Sequence, residues 1–217
     1  MSLSYGDTAR SLEHRRDFLL SRGIDYTNLV CAQQVHGKRV HYARAQERGR
    51  GALDYQQAIA DTDAFITDCP GLPLAIFNAD CLSVYLYDPT TPAIGLVHAG
   101  WKSTRSGIIA GALVGMRETF GSRIKDIYVG FGPSLRVCCY EVGEEFKDYF
   151  PQAVTSRDSR FSMDLVKANT LQAQEAGVAP GNIFDTHACT ACQNQDFFSY
   201  RREGVHCGRM LSVMMLG

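Results

Sequence analysis

No stretch of this chain offers eighteen consecutive apolar residues, so a helical membrane span is excluded. No block of like charge occurs either. Lys and Arg number 22 against 23 Asp and Glu, for a net charge of -1. Non-specific attraction to nucleic acid or to an anionic membrane therefore has no electrostatic basis. The first twenty residues lack the apolar core of a secretion signal, because Asp7, Arg10, Glu13, Arg15, Arg16 and Asp17 interrupt them. A cytoplasmic protein with neither nucleic acid nor membrane as partner is the expectation. Repeats, low-complexity tracts and linkers are absent as well, which predicts one domain over residues 1–217. Eight cysteines fall short of a disulfide scaffold in a chain of this length, so thiols are expected. Cys189-Thr190-Ala191-Cys192 has no second C-x-x-C to accompany it. Alone, it reads as half of a zinc site or as a redox dithiol.

What is present suits a packed globule, with 45% hydrophobic and 10% aromatic residues. A helix is predicted over Arg10–Ser21 with Leu12, Phe18 and Leu19 inward, followed by strands at Leu29–Val35 and Arg39–Ala43 with His36-Gly37-Lys38 turning between them. Residues 46–61 read as a polar surface loop. Apolar runs at Ala64–Thr67, Leu74–Phe77, Leu82–Tyr87 and Ala93–Val97, separated by short turn signals, predict a sheet of locally connected strands. After a polar joint at Trp101–Ser106, Ile109, Leu113, Met116 and Phe120 recur at helical period, with Gly121 placed as a C-terminal cap. Gly107, Gly111 and Gly115 add a stripe at four-residue spacing, which implies close approach to a neighbouring backbone or sheet. Ile127–Phe131 predicts a strand, Val142 to Tyr149 and Leu165 to Leu171 short helices, and Met210–Leu216 a buried strand. The fold class is α+β: a single domain with a mixed β-sheet core flanked by helices.

Three segments concentrate the chemistry: Gln34-Val35-His36-Gly37, Asn78-Ala79-Asp80-Cys81 and Leu96-Val97-His98-Ala99-Gly100-Trp101. Each brings a metal-competent side chain to the end of an apolar run beside a small or turn-forming residue. Two imidazoles and a thiol suit Zn²⁺ and leave a fourth position open, as in catalytic rather than structural zinc sites. His36 lies 45 residues before Cys81, and Cys81 lies 17 before His98, so spacing alone does not decide the matter. For each His taken singly, a structural or surface role is the commoner one. Lys102, Ser103 and Arg105 precede a helix and would suit an anion such as phosphate, while Ser103 or Ser106 would equally serve as a helix cap.

The order of further motifs resembles one family. Gln33-Gln34-Val35-His36-Gly37, Ala79-Asp80-Cys81, His98-Ala99-Gly100-Trp101, Gly132-Pro133-Ser134 with Cys138-Cys139-Tyr140-Glu141-Val142, Cys189-Thr190 and Phe198-Ser199-Tyr200-Arg201-Arg202 follow in its sequence. It is the family long labelled multicopper polyphenol oxidase or laccase domain and later reassigned as purine nucleoside phosphorylase. The likeness runs from Ser4-Tyr5-Gly6-Asp7 to the last predicted strand. The chain departs from the family's habit at Leu82-Ser83, at Ser103 after Lys102 and at Cys207. The resemblance implies a zinc held by His36, Cys81 and His98. It also implies phosphorolysis of adenosine, inosine and methylthioadenosine, and deamination of adenosine, with a purine nucleoside and phosphate as the small-molecule partners. Bacterial relatives described as peptidoglycan-precursor editing factors make a cytoplasmic amidase the alternative. Copper is disfavoured, since laccase chemistry needs several copper centres and six histidines are too few.

Zinc would either activate water for attack on adenosine C6 or an amide carbonyl, or orient phosphate or ribose as an oxocarbenium-like centre forms. Asp80 or Glu141 would shuttle the proton. A rival chemistry makes Cys81 a nucleophile with His98 as its base. A third reading is a metal-stabilised binding protein without turnover.

Overall fold

The structure, a computed structural model, describes residues 1–4 and 7–217. Tyr5 and Gly6, part of the first block of the resemblance, lie outside the described residues. The chain runs through α1 (Thr8–Leu20), β1 (Val30–Cys31), β2 (Val40–Tyr42), β3 (Ala64–Thr67), β4 (Leu74–Asn78), β5 (Leu82–Asp88) and β6 (Ala93–Ala99). Then come α2 (Trp101–Arg105), α3 (Ile108–Phe120), β7 (Tyr128–Phe131), β8 (Glu141–Val142), α4 (Phe146–Tyr149), β9 (Val154–Arg157) and β10 (Arg160–Met163). It ends with α5 (Leu165–Glu175), β11 (Ile183–Asp185), α6 (Tyr200–Glu203) and β12 (Met210–Met214).

The strands form three sheets. The large one has the order β11-β7-β5-β6-β3-β2, mixing parallel and antiparallel pairs. A second has the order β1-β4-β12 and a third β8-β10-β9. The mixed α+β class is thus as expected. The local connectivity is not. β4 leaves its neighbours in sequence to pair with β1 and β12, and β1 and β2 belong to different sheets. The chain therefore passes between the small and large sheets four times, and two of these crossings run over residues 32–39 and 79–81.

β6 is buried along its whole length and β3 along all four of its residues, which is what continuous apolar runs specify when both faces are covered. α3 covers one face, with Ile109, Leu113 and Met116 fully buried. Its glycine stripe faces the sheet: a Cβ on Gly111 would stand 3.7 Å from Val40, and one on Gly115 would stand 3.3 Å from Ile66. Gly107 (φ 75°) and Gly121 (φ 78°) bound the helix in left-handed conformations that other residues adopt at a cost.

The expected inward face of α1 is corrected. Asp7 caps it by accepting from the Arg10 amide, and Leu19 is buried, but Leu12 and Phe18 are only half-buried while Arg15 is buried. Arg15 is accommodated because its guanidinium donates to the carbonyls of Met1 (2.7 Å) and Ala52 (2.6 Å) and lies over the Phe77 ring. The loop at 46–61 is also less superficial than its polarity implies, since Ala52, Ala58 and Ile59 are buried. The polar joint after His98 is the short helix α2. β12 is an edge strand, mostly half-buried rather than fully covered.

Candidate metal centre and pocket

These two inter-sheet crossings and the end of β6 meet at one place. His36 sits on the first crossing, Cys81 on the second and His98 on β6. Their ligand atoms all lie within 4.8 Å of one another, and the two imidazole centroids are 4.8 Å apart. The backbone is shaped for this. His36 (φ 58°) and Asp80 (φ 84°) occupy the left-handed region, turning each crossing sharply. Gly100 has no room for a side chain: a Cβ there would stand 2.9 Å from the Cys81 sulfur and 3.0 Å from the His36 ring.

Asp63, fully buried at the entry to β3, organises the cluster. One carboxylate accepts from the backbone amides of Val35 (3.1 Å), His36 (3.0 Å) and Gly37 (2.7 Å), and from His98 Nδ1 at 2.8 Å. Holding the proton on His98 Nδ1 leaves Nε2 as the free ligand nitrogen, the arrangement that orients metal-bound imidazoles. Burial works against the ionised form of Asp63, yet the contacts with His98 and the amides keep its carboxyl below the usual range. Cys81 and His98 polarise each other. Burial opposes a thiolate at Cys81, but His98 and His36 draw its thiol down to about 6. Burial likewise opposes an imidazolium at His98, yet the Cys81 sulfur and Asp63 push it up to about 9. A charged thiolate thus stands ready between two nitrogens, a donor set that fits a borderline-soft dication such as zinc.

The cluster lines a cavity of about 430 Å³. Phe77, Tyr140 and Tyr200 contribute aromatic surface, and Arg201 and Arg209 contribute positive charge. Asp80 also lines it, but both of its carboxylate oxygens are engaged: Oδ1 accepts from Thr190 (2.6 Å) and Oδ2 from the Arg201 amide (2.6 Å). It ties the two far loops to the Cys81 turn. Glu141 is exposed and does not line the cavity.

The residues of the expected anion site at the start of α2 lie away from the cavity wall. Ser103 is fully buried and its hydroxyl accepts from the Gly100 amide (2.9 Å), the capping role. Lys102 lies over the Trp101 ring and Arg105 over the Tyr149 ring, 3.6 Å from its centroid. None of the three lines the cavity. The Ser103 hydroxyl is taken up by the Gly100 turn, and the two cations lie on aromatic rings. His41 pairs with Glu47 and His187 with Asp185, in line with structural roles.

Comparison with known proteins gives the family. The family model described as multi-copper polyphenol oxidoreductase laccase matches residues 1–217. The chain is 37% identical to purine nucleoside phosphorylase YlmD of Geobacillus stearothermophilus, over 99% of this chain and 82% of that protein. It is 31% identical to adenosine deaminase RL5 from an unknown prokaryotic organism, over 94% of this chain and 80% of that protein. The crystal structure of YlmD from Geobacillus stearothermophilus superposes with a TM-score of 0.94 at 32% identity, covering 100% of this chain and 84% of that one. With a match along its whole length and a fold shared so closely, the chain belongs to the laccase-like family whose relatives include enzymes named purine nucleoside phosphorylase.

Proposed function

We propose that residues 1–217 work as one zinc-dependent purine nucleoside phosphorylase that cleaves adenosine, inosine and methylthioadenosine with phosphate and also deaminates adenosine. The observation that carries this reading is the convergence of His36, Cys81 and His98 on the wall of a cavity that also presents aromatic rings and two guanidiniums. The names of the relatives supply the substrate class.

When bound, zinc would supply Lewis-acid polarisation of an oxygen in the cavity. His36, Cys81 and His98 hold it, and Asp63 fixes the His98 tautomer. The phosphate role moves from α2 to Arg201 and Arg209, which line the cavity while part of each guanidinium donates to the carbonyls of Glu141 and Cys207. Phe77, Tyr140 and Tyr200 give the purine surfaces to stack on. Asp80 is a positioning residue, acting through Thr190 and the Arg201 backbone rather than as a proton shuttle.

Purified protein incubated with adenosine, with and without phosphate, tests the reading. Ribose 1-phosphate and adenine that require phosphate support it. Adenine formed at the same rate without phosphate overturns phosphorolysis, and turnover of a muropeptide nucleotide alone moves the site to amide chemistry.

One observation favours a second reading. Cys81, His98 and Asp63 form a row with the nucleophile, base and orienting carboxylate of a thiol hydrolase. His36 separates the two. As a zinc ligand its replacement by Ala abolishes the pocket zinc and activity together, whereas a Cys81–His98 dyad keeps appreciable turnover. Cys81→Ser should also lose both, and a Cys81→Ser protein with full zinc but no activity would make Cys81 the nucleophile.

A further inference from the structure

Four cysteines outside the pocket gather from two distant loops. Cys138 and Cys139 follow β7, and Cys189 and Cys192 follow β11. All four are thiols, and their sulfurs lie within 4.8 Å of one another. Cys192 stands 3.7 Å from Cys138 and 3.4 Å from Cys139. Two sulfurs bound tetrahedrally at about 2.3 Å from zinc are separated by about 3.8 Å, whereas a disulfide holds them at about 2.05 Å. The 3.7 Å spacing matches an edge of that tetrahedron, the 3.4 Å spacing is somewhat shorter, and neither approaches a disulfide.

The loops that carry the four sulfurs are held in place by side chains. Three guanidiniums grip the ligand-bearing loops through their carbonyls: Arg136 on Ala188 (3.0 Å), Arg202 on Thr190 (2.9 Å) and Ala191 (3.0 Å), and Arg201 on Glu141 (3.0 Å). Arg136 and Arg202 are themselves paired with Asp185 and Glu203, so this collar holds the ligand-bearing loops in place.

We infer that Cys138, Cys139, Cys189 and Cys192 form a second, closed metal site that binds one soft divalent cation, zinc above all. Binding forms four metal–sulfur bonds and releases to water the protons that the thiols still hold, with no change in oxidation state. Four protein ligands leave no open position, so this site is structural. Its product is the pocket wall: Thr190, beside Cys189, donates to Asp80, and Tyr140, beside Cys139, lines the cavity.

The test is metal stoichiometry of protein isolated anaerobically without chelator, with cobalt substitution as a second readout. Wild type should hold two equivalents of zinc per chain, and Cys192→Ser and Cys138→Ser one each, with circular dichroism unchanged. Cobalt-loaded wild type should show tetrathiolate bands that both variants lose. His36→Ala should hold one equivalent and keep those bands. If the pocket takes no metal, wild type falls to one equivalent that Cys192→Ser abolishes and His36→Ala leaves, which supports this site and sinks only the zinc of the pocket. One equivalent lost in His36→Ala but retained in Cys192→Ser overturns the inference. So does a disulfide from Cys192 to Cys138 or Cys139 in the anaerobic protein.

Discussion

At the pocket centre two protons compete with the metal. Cys81 is drawn down to about 6 and His98 pushed up to about 9, so between those limits the free site holds a thiolate and an imidazolium. A metal must displace the His98 Nε2 proton, because Asp63 keeps the other on Nδ1. Binding then releases one proton, and apparent zinc affinity should rise about tenfold per pH unit from roughly 6 to 9. Above that window His98 is neutral and the rise should flatten. Below it Cys81 is protonated too, and the slope should steepen towards two protons. A chromophoric chelator competition in a Cys192→Ser background reads this directly, and a flat profile through neutrality would refute the ion pair. Asp63→Asn should weaken zinc binding by about 10–100-fold, the usual cost of losing such an orienting partner. Its amide group also faces three backbone N–H donors with one NH₂, so thermal stability should fall as well.

Single elements explain which parts of the sequence were readable. α3 was legible because its apolar period and terminal Gly121 are local signals. Its stripe makes a prediction about packing. Gly111→Ala meets only Val40 at an ordinary 3.7 Å and should stabilise the protein by about 0.5–1 kcal/mol through helix propensity. Gly115→Ala presses Ile66 at 3.3 Å and should recover little or none of that gain. Denaturant midpoints of the two variants decide it, and equal stabilisation would show that the helix stands off the sheet. β9 and β10 went unread because β9 is exposed and polar and β10 is a four-residue strand with charged and polar residues among its apolar ones, too short for an alternation to mark it. The pairing of β1 with β4, and hence the role of the His36 crossing, depends on partners more than 40 residues apart. Metal donors were recognisable from residue type and turn context. Asp63 was not: an acidic residue before a strand looks like any turn residue until three amides are seen pointing at it. The cysteine cluster was hidden likewise, since Cys138 and Cys189 meet only through the β7–β11 pairing.

The whole molecule is tied together where the pocket lies. His36 and Cys81 sit on two of the crossings between the β1-β4-β12 sheet and the six-stranded sheet, and His98 on a central strand of the latter. A metal there links segments that the unfolded chain separates, so it binds the native state selectively. Free zinc at 100 times its Kd should add about 2.7 kcal/mol to stability. For a chain of this size each kcal/mol shifts Tm by about 2–4 °C, so a rise of about 5–11 °C is expected. The measurement belongs in the Cys192→Ser background, where the tetrathiolate site no longer contributes. Chelator should lower Tm there, and zinc should restore it. In His36→Ala, Cys192→Ser protein neither should act. If that double variant responds to zinc as strongly as Cys192→Ser alone, the stabilising ion is not at the sheet junction, and His36, Cys81 and His98 are not its ligands.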